Sequence, residues 1–304
     1  ATGPLELTQN KRSAHVRTND LHVTLDKGKG FLTALQYKGQ DLLCTGPQLN
    51  IWRGPTDNDG IKLRENQNWK ALGRWLELGL DKLALKTERV AVQTRKNGCI
   101  VFQTRHTAGG LEHRQTYTLF PGGDIHIKNT IQTDPTDLPR IGVTLTLSPA
   151  LEAFTWFGRG PHENYWDRKR GAAIGLYEST VTDQYVPYIL PQEHGNKTDV
   201  RWLTLASPTA GLLVVADQPL ECSASHFSSA DLTKANHTNE LTPQQETILN
   251  LDLHQRGLGG ASCGPDTLPQ YRIQSGTHTF AYRIRPFTPK KEDPSQLARQ
   301  IFPI

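Results

Sequence analysis

The 304-residue sequence has no methionine and only four cysteines, and no apolar run approaches the ~20 residues that a membrane-spanning helix needs. A membrane protein is therefore not expected. The cysteines lie far apart and form no C-x-x-C pair, which argues against a zinc site and against a dense disulfide framework. Because the opening ATGPLELTQ carries neither an initiator methionine nor a signal-peptide pattern, we expect a fragment or a processed chain.

Concentrated positive charge is also missing. The 34 Lys and Arg residues are scattered among 30 Asp and Glu residues, and their runs are short, such as those at residues 168–170 and 290–291. Proteins that bind nucleic acid usually carry a basic stripe or patch, so no nucleic-acid partner is expected. The remaining composition, 36% hydrophobic and 21% charged, is typical of a folded globular protein.

Alternating apolar residues dominate the chain and predict β-strands. The clearest case is RIGVTLTL, residues 140–147, in which every second side chain is Ile, Val or Leu. The same alternation recurs at residues 125–131, 249–253 and 280–284. The turn sequences at residues 38–41 and 96–98 predict hairpins between neighbouring strands.

A single segment predicts a helix. Within residues 65–83, apolar side chains recur at spacings of three and four, at Trp69, Leu72, Leu76, Leu80 and Leu83. No internal repeat or Pro/Ser-rich linker divides the chain. We therefore predict one all-β domain over residues 1–304, an antiparallel sandwich, in which residues from about 288 to 304 form a C-terminal tail.

The segment WFGRGPHENYWDRKRG, residues 156–171, joins a glycine- and proline-rich turn to His162, Glu163 and Asn164. In a catalytic interpretation, His162 or Glu163 acts as a general acid or base. In the structural interpretation, which we favour, Glu163 accepts backbone N–H groups and a nearby arginine pairs with a carboxylate. The motif would then serve to fix its own loop.

A second polar segment, YILPQEHGNKTDVRW, spans residues 188–202. It contains Gln192, Glu193, His194 and Asn196. Glu163 and Glu193 are candidates for the paired carboxylates of a glycosidase, whose separation sets the stereochemical outcome. Amides, carboxylates and flanking aromatic rings are equally typical of a sugar-binding site.

Two further loops stand out. WRGPTDNDG, residues 52–60, resembles a calcium loop superficially but lacks the Glu that an EF-hand needs at its last position. We predict a structural loop held by internal hydrogen bonds and pairing among Arg53, Asp57, Asn58 and Asp59, in which Asp57 stabilises the fold if its carboxylate accepts buried N–H groups. The Gly-rich run GLGGASCGP, residues 257–265, precedes no helix pattern, so it is not a phosphate loop, and its Cys263 is predicted to be structural.

In this order, the segments WRGPTDNDG, FGRGPHENYWDR, YVPYILPQEHGNKTDVRW and GLGGASCGPDTLPQYR resemble the C-terminal domain of the large bacterial β-galactosidases of glycoside hydrolase family two. The resemblance covers nearly the whole chain and implies an antiparallel supersandwich, the fold shared with galactose mutarotases. It also implies that the catalytic glutamates belong to a TIM barrel, which alone takes about 250 residues and has no counterpart here. No catalytic residue is therefore expected in this chain, and alone it should be inactive.

The resemblance further implies which residues contact substrate. In well-known single-chain members the Gly-rich loop carries a Trp that stacks on the sugar, and here Gly264 stands at that position. Cys263 and Gly264 are the first candidates for substrate contact. The second set consists of His162, Glu163, Asn164, Gln192, Glu193, His194 and Asn196.

Our leading hypothesis is a non-catalytic domain of a β-galactosidase that hydrolyses terminal β-D-galactosides such as lactose, contributing to the sugar site and to the oligomer. The alternatives are an autonomous mutarotase-like epimerase, with His162 and Glu193 or His194 and Glu163 moving protons, and a carbohydrate-binding module. We expect no metal or cofactor in this chain. The resemblance implies a cytoplasmic, homo-oligomeric parent that uses Mg²⁺ and a monovalent cation, with its catalytic TIM barrel and a β-galactoside as partners of this chain.

Overall fold

A computed structural model describes residues 3–134, 137–260, 262 and 264–301, with residue 65 described by its backbone alone. Within these described residues there are sixteen strands: Glu6–Gln9 (β1), Ser13–Arg17 (β2), Leu21–Asp26 (β3), Phe31–Tyr37 (β4), Gln40–Asn50 (β5), Lys86–Thr94 (β6), Ile100–Ala108 (β7), Leu111–Leu119 (β8), Ile125–Thr133 (β9), Arg140–Leu147 (β10), Ala153–Gly160 (β11), Ala173–Thr180 (β12), Lys197–Ala206 (β13), Gly211–Ser225 (β14), Thr247–Gln255 (β15) and Gly276–Phe287 (β16).

The strands form one sheet in which every pairing of named strands is antiparallel. Their order is β1-β2-β3-β4-β5-β10-β15-β14-β16-β9-β8-β7-β6, and β14 also pairs with β13, which continues into β11 and β12. The larger of two hydrophobic clusters among the described residues contains buried side chains from most of the strands between β2 and β16, so the sheet curls around a common core. The predicted all-β antiparallel fold is confirmed.

Alternation along the strands builds this core. In β3, the side chains of Leu21, Val23 and Leu25 are buried while those between them are half-buried, as the two-residue period of a strand requires. In β10, Val143 and Leu145 are fully buried, as the run RIGVTLTL predicted. Each such side chain contributes roughly 1.5–3 kcal/mol when it is removed from water.

Both predicted hairpins are present. Between β4 and β5, Lys38 and Gly39 have φ values of 49° and 77°, the left-handed pair that a tight two-residue turn requires. Between β6 and β7, Gly98 has φ of 79°. Glycine adopts these angles without steric cost, which explains why the turn sequence was informative.

The helices are short: Asp57–Gly60 (α1), Ala71–Glu77 (α2), Ser229–Lys234 (α3) and Pro294–Ala298 (α4). Single 3₁₀ turns or short 3₁₀ helices occupy Ile61–Asn66, Leu80–Lys82, Thr182–Gln184, Thr238–Glu240 and Pro269–Tyr271. In the described ranges, no helix has the length and apolar character to span a membrane.

The helix predicted over residues 65–83 is confirmed only in part: α2 covers Ala71–Glu77, a 3₁₀ turn follows at Leu80–Lys82, and the 3₁₀ helix Ile61–Asn66 ends at the start of the range. Trp69 is 59% exposed, although the apolar stripe placed it in the core. Trp75 is buried instead, and its Nε1 donates to the carbonyl of Asp137 at 2.7 Å. The left-handed φ of 66° at Gly79 prevents the helix from continuing. Gly73 and Gly79 give the segment weak helix propensity, so tertiary contacts determine its conformation.

Candidate functional site

Residues from all four polar motifs meet at one small cavity of about 170 Å³, which we call the motif cavity. Its lining residues are Thr56, Asp57, Asn58, Glu163, Tyr165, Arg168, Tyr188, Gln192, Glu193 and Leu258. These segments are distant in sequence, and the sheet brings the loops that carry them to one place. Glu163 and Glu193 therefore do share a cavity.

Backbone contacts hold the motif segments together. The N–H of Glu193 donates to the carbonyl of Gly54 at 2.8 Å, and the N–H of Gly54 donates to Glu193 Oε2 at 3.0 Å. A Cβ on Gly54 would lie 3.1 Å from the backbone nitrogen of Glu193 and 2.7 Å from the Cβ of Leu232 on a neighbouring helix, so glycine suits this close packing. Likewise, the N–H of Asn164 donates to the carbonyl of Asn196 at 2.8 Å.

The Glu193 carboxylate is fully engaged by structural partners. Besides the N–H of Gly54, it accepts a hydrogen bond from Arg140 Nη2 at 2.8 Å. The Arg140 side chain is fully buried and the Glu193 side chain is 3% exposed. Removing one partner of such a buried pair strongly destabilises the fold, because the other charge is left buried and unpaired.

Glu163 is held in the same way. Its Oε2 accepts the N–H of Gly195 at 2.9 Å, and its Oε1 accepts Arg168 Nη2 at 2.9 Å together with the hydroxyl of Tyr188. Burial, followed by the hydrogen bond to the carboxylate, raises the pKa of Tyr188 to about 12, so its hydroxyl remains a donor at neutral pH. Both glutamates thus have backbone N–H and arginine partners.

Neither candidate histidine lines the motif cavity, and no other histidine of the described ranges does so. His194 is buried, its Nδ1 lies 3.0 Å from the carbonyl of Gln192, and its ring packs against Tyr185 and Phe227. His162 is exposed and lies at a neighbouring cavity. Neither imidazole is placed between the two carboxylates.

The candidate amides tie segments together. Asn164 Oδ1 accepts the N–H of Thr198 at 2.9 Å, and Asn196 Nδ2 donates to Glu221 Oε2 at 2.9 Å. Gln192 Oε1 accepts the N–H of Asp57 at 3.0 Å. All three amide side chains are buried, as their internal hydrogen bonds require.

In the segment WRGPTDNDG, Arg53 and Asp59 form a fully buried bidentate pair with N···O distances of 3.1 and 2.8 Å. Asp59 Oδ2 also accepts the N–H and the hydroxyl of Thr56, both at 2.9 Å. Asp57 differs from expectation: its Oδ1 is buried without a hydrogen-bond partner, so this oxygen accepts no N–H group. The half-buried Asn58 lies beside it at the cavity wall.

A buried cluster of ionic side chains beneath the motif cavity was missed by sequence reasoning. Arg140 pairs with Glu193 and also with Asp252, at 3.0 Å. Burial raises the pKa of Asp252 to about 7, because the charge of Arg140 offsets only part of the desolvation while Glu221 and Glu193 add nearby negative charge. The only sequence signal was a charged residue within each of two apolar strands, β10 and β15.

The Gly-rich loop is joined to the segment FGRGPHENYWDR through Asp167. The carboxylate of Asp167 accepts the N–H groups of Leu258 and Gly259 at 3.0 and 2.8 Å. Further along, the carbonyl of Gly264 accepts Lys70 Nζ at 2.7 Å. Cys263 lies outside the described residues.

A larger cavity of about 720 Å³ adjoins the motif cavity, sharing Glu163 and Arg168, and we call it the large cavity. Its lining residues are His162, Glu163, Trp166, Asp167, Arg168, Lys169, Arg170, Gly171 and Tyr271. The ring of Trp166 stacks on that of His254 with 4.3 Å between the ring centroids, and the ring of Tyr271 meets Trp166 edge-on with a centroid distance of 5.8 Å. Its volume falls within the range of about 300–1,000 Å³ that is usual for ligand pockets, whereas the motif cavity is smaller.

Metal ligands do not gather in this region. Within the described ranges, no group of three or more His, Cys, Asp or Glu side chains is arranged to hold a metal ion. The carboxylates of Asp59, Glu163, Asp167, Glu193 and Asp252 each already pair with an arginine or accept backbone N–H groups. The site is therefore built from hydrogen bonds and ion pairs between its own segments.

Comparison with known proteins relates the chain to one family. Residues 17–285 match the family model described as beta galactosidase small chain. The chain is 33% identical over 289 residues to a beta-galactosidase of Priestia megaterium, covering 92% of this chain and 27% of that protein. It is 35% identical over 266 residues to a beta-galactosidase of Vibrio cholerae, covering 81% of this chain and 25% of that protein.

Similar solved structures include a galactose 1-epimerase from Lactobacillus acidophilus, with a TM-score of 0.43 and 7% identity over 93% of this chain and 98% of the other. Another is a TPR-domain containing protein from Parabacteroides distasonis, with a TM-score of 0.48 and 11% identity, covering 96% of this chain and 50% of the other. The chain spans about a quarter of the length of the beta-galactosidases that it matches.

Proposed function

The chain belongs to the beta-galactosidase small-chain family, and from that premise we propose that it is the non-catalytic C-terminal part of a β-galactosidase, where it holds loops against the sugar site. In this role the domain supplies a rigid support rather than reacting groups. The reaction assigned to the parent is the hydrolysis of terminal β-D-galactosides such as lactose.

One observation carries the proposal: Glu163 and Glu193 lie at one cavity, yet each is bound by a backbone N–H and an arginine. A general acid or a nucleophile must reach the substrate, and carboxylates engaged in this way are positioned to fix loops instead. The same contacts join three of the four motifs into one unit. Such support is what an active site on mobile loops needs from a neighbouring domain.

We infer that the substrate is contacted by the loops that line the motif cavity and the large cavity. The Gly-rich loop is the first candidate, with Cys263 and Gly264 taken from the family position and Leu258 at the motif cavity. The large cavity is the second, because Trp166 and Tyr271 offer aromatic surface beside charged side chains, a combination typical of sugar recognition.

The remaining parts of the parent belong to the same proposal. They are a catalytic TIM barrel, a homo-oligomeric assembly, a cytoplasmic location, and sites for Mg²⁺ and a monovalent cation that lie outside this domain. The described cysteines Cys44, Cys99 and Cys222 are free thiols, which agrees with a reducing compartment.

A mutarotase-like activity is less well supported. It requires an imidazole and a carboxylate that face one substrate, and His194 is packed between aromatic rings while Glu163 is salt-bridged to Arg168. A stand-alone carbohydrate-binding module is the stronger second candidate. The large cavity, with Trp166 and Tyr271, is the observation in its favour.

The proposal is tested by mixing the purified chain with the separately produced catalytic part of its parent and measuring hydrolysis of an aryl β-galactoside. We expect no turnover from either piece alone and restored turnover from the mixture. Turnover of about 1 s⁻¹ or more from this chain alone would contradict a non-catalytic role. Full activity of the catalytic part without this chain would contradict the supporting role.

A further inference from the structure

Two histidines on the exposed face of the β2–β3 hairpin direct ring nitrogens to a common point. His15 Nδ1 and His22 Nε2 are 3.4 Å apart, and Thr24 Oγ1 lies 3.2 Å from the first and 3.4 Å from the second. The neighbours Val16 and Val23 are buried, so strand alternation places these three half-buried side chains on the opposite, outer face. The arrangement is unrelated to the motif cavity.

The hydrogen bond to Gln36 fixes the tautomer of His22. His22 Nδ1 lies 3.2 Å from Gln36 Oε1, which can only accept, so Nδ1 carries the proton. The Gln36 amide is itself oriented, because its Nε2 donates to Asp41 Oδ1 at 2.8 Å. His22 Nε2 therefore presents a bare lone pair towards His15 and Thr24.

A parallel chain of contacts orients His15. Asn10 Oδ1 accepts the N–H groups of Arg12 and Ser13 at 2.7 and 2.9 Å, which identifies it as the amide oxygen. Ser13 Oγ donates to this oxygen at 3.4 Å and so accepts from His15 Nε2 at 2.9 Å. His15 Nδ1 is then also left with a bare lone pair.

Three acceptor atoms thus face one another with a single hydrogen, that of the Thr24 hydroxyl, to share among them. Their separations of 3.4, 3.2 and 3.4 Å have a simple geometric meaning. Ligands at about 2.0–2.1 Å from a tetrahedral zinc ion lie about 3.3–3.4 Å from one another. An octahedral ion with the same bond length would bring them to about 2.9 Å.

We propose that His15, His22 and Thr24 form a site for a divalent transition-metal cation of the zinc and copper class. The two imidazoles are the ligands that such ions prefer, and the Thr24 hydroxyl oxygen is a third, weaker ligand. Ser13 and Gln36 are positioning residues, because each holds the remote nitrogen of one imidazole, as is usual around metal-bound histidine. The outer face leaves the fourth position open to water.

The charged residue nearest to this site in the strand register is Arg17 on β2, which lies directly opposite His22 on β3 and opposite Glu6 on β1. Its positive charge opposes the cation and its glutamate neighbour offsets part of that effect. Occupancy would link β2 to β3 close to the edge of the sheet. A metal that binds only the folded hairpin should raise the melting temperature of the chain.

The test titrates the 304-residue chain with Co²⁺, whose visible absorption distinguishes tetrahedral from octahedral coordination, and then with Zn²⁺ by calorimetry. We expect one equivalent to bind, with a tetrahedral spectrum that zinc abolishes by displacement. His15→Gln and His22→Gln should each remove the spectrum. His278→Gln is the matched control, since His278 is a half-buried strand histidine on β16 whose Nε2 lies 2.9 Å from the carbonyl of Gln274.

Two additional variants help to distinguish a metal site from the alternative, in which His15 and His22 share one proton. Ser13→Ala and Gln36→Leu leave both ligands in place and should weaken Zn²⁺ binding by about 10-fold. The proposal is overturned if Zn²⁺ affinity is the same in the wild type, His15→Gln and His22→Gln, or if Co²⁺ gives only the octahedral spectrum. It is equally overturned if NMR shows a proton shared between the two imidazoles at neutral pH that Zn²⁺ does not displace. Melting curves of each variant without metal establish that it folds.

Discussion

Replacing Asp252 with Asn should change how the stability of the domain depends on pH. Asp252 is fully buried on β15, paired with Arg140 at 3.0 Å and close to Glu193 and Glu221. Its Oδ1 has no hydrogen-bond partner, and a Cβ at Gly142 would lie 2.1 Å from that oxygen. Arg140 thus pairs with two buried carboxylates, those of Glu193 and Asp252, which is why burial dominates the ionisation of Asp252.

The size of the effect follows from the pKa of Asp252, raised from 3.8 to about 7. The folded protein holds this proton more tightly than the unfolded chain, so the contribution of Asp252 to stability is full below pH 4. It is lost as the pH rises towards 7 and is constant above that. The difference between the folded and unfolded pKa of Asp252 corresponds to a stability contribution of at most about 4 kcal/mol. Asn cannot titrate, so this dependence disappears from the variant.

The assay is urea unfolding of the wild type and Asp252→Asn between pH 4 and pH 8. Taking the difference in unfolding free energy between the two proteins cancels the contributions of the groups that titrate in both. We expect that difference to shift in favour of the variant by up to about 4 kcal/mol as the pH rises. Glu221→Gln, which removes one neighbouring charge, should shrink the shift. A difference that stays constant from pH 4 to pH 8 would refute the reasoning.

Three other substitutions test separate parts of the structure. Arg53→Lys cannot reproduce the bidentate contact with Asp59, and urea unfolding should show a loss of about 2–4 kcal/mol; an unchanged midpoint would contradict this. Gly142→Ala should lower the unfolding free energy by about 1–3 kcal/mol through overpacking, and an unaltered melting curve would show that the strands adjust freely. Burial lowers the pKa of His113 from 6.5 to about 3, so stability should fall as the pH drops from 6.5 towards 3; His113→Gln should flatten that fall, and an identical slope would count against it.

Local features of the fold were predictable from sequence because they depend on neighbouring residues. The hairpin at Lys38 and Gly39 needs two left-handed residues, and the alternation of β10 needs one buried face. The helix over residues 65–83 formed only in part, because tertiary packing buried Leu72 and Leu80 of the apolar stripe and left Leu76 exposed. There, Trp75 took the buried position and Trp69 was left exposed.

The candidate site was predictable in its members and not in its contacts. Glu163 and Glu193 stood out from their polar surroundings, yet their arginine partners differ in kind. Arg168 lies five residues from Glu163, whereas Arg140 lies 53 residues from Glu193 and approaches it only through the register of the sheet. Sequence spacing therefore could not decide between a free carboxylate pair and two anchored ones.

The most direct measurement of the supporting role uses the full-length parent with Glu163→Gln and Glu193→Gln made singly. For each variant, kcat/KM on an aryl β-galactoside and the unfolding free energy are measured on the same preparation, with Glu178→Gln, a strand glutamate outside both cavities, as control. If the two glutamates anchor loops, stability falls by about 1–3 kcal/mol while kcat/KM remains close to that of the wild type. Loss of kcat/KM at unchanged stability would contradict that role and place these carboxylates on the substrate.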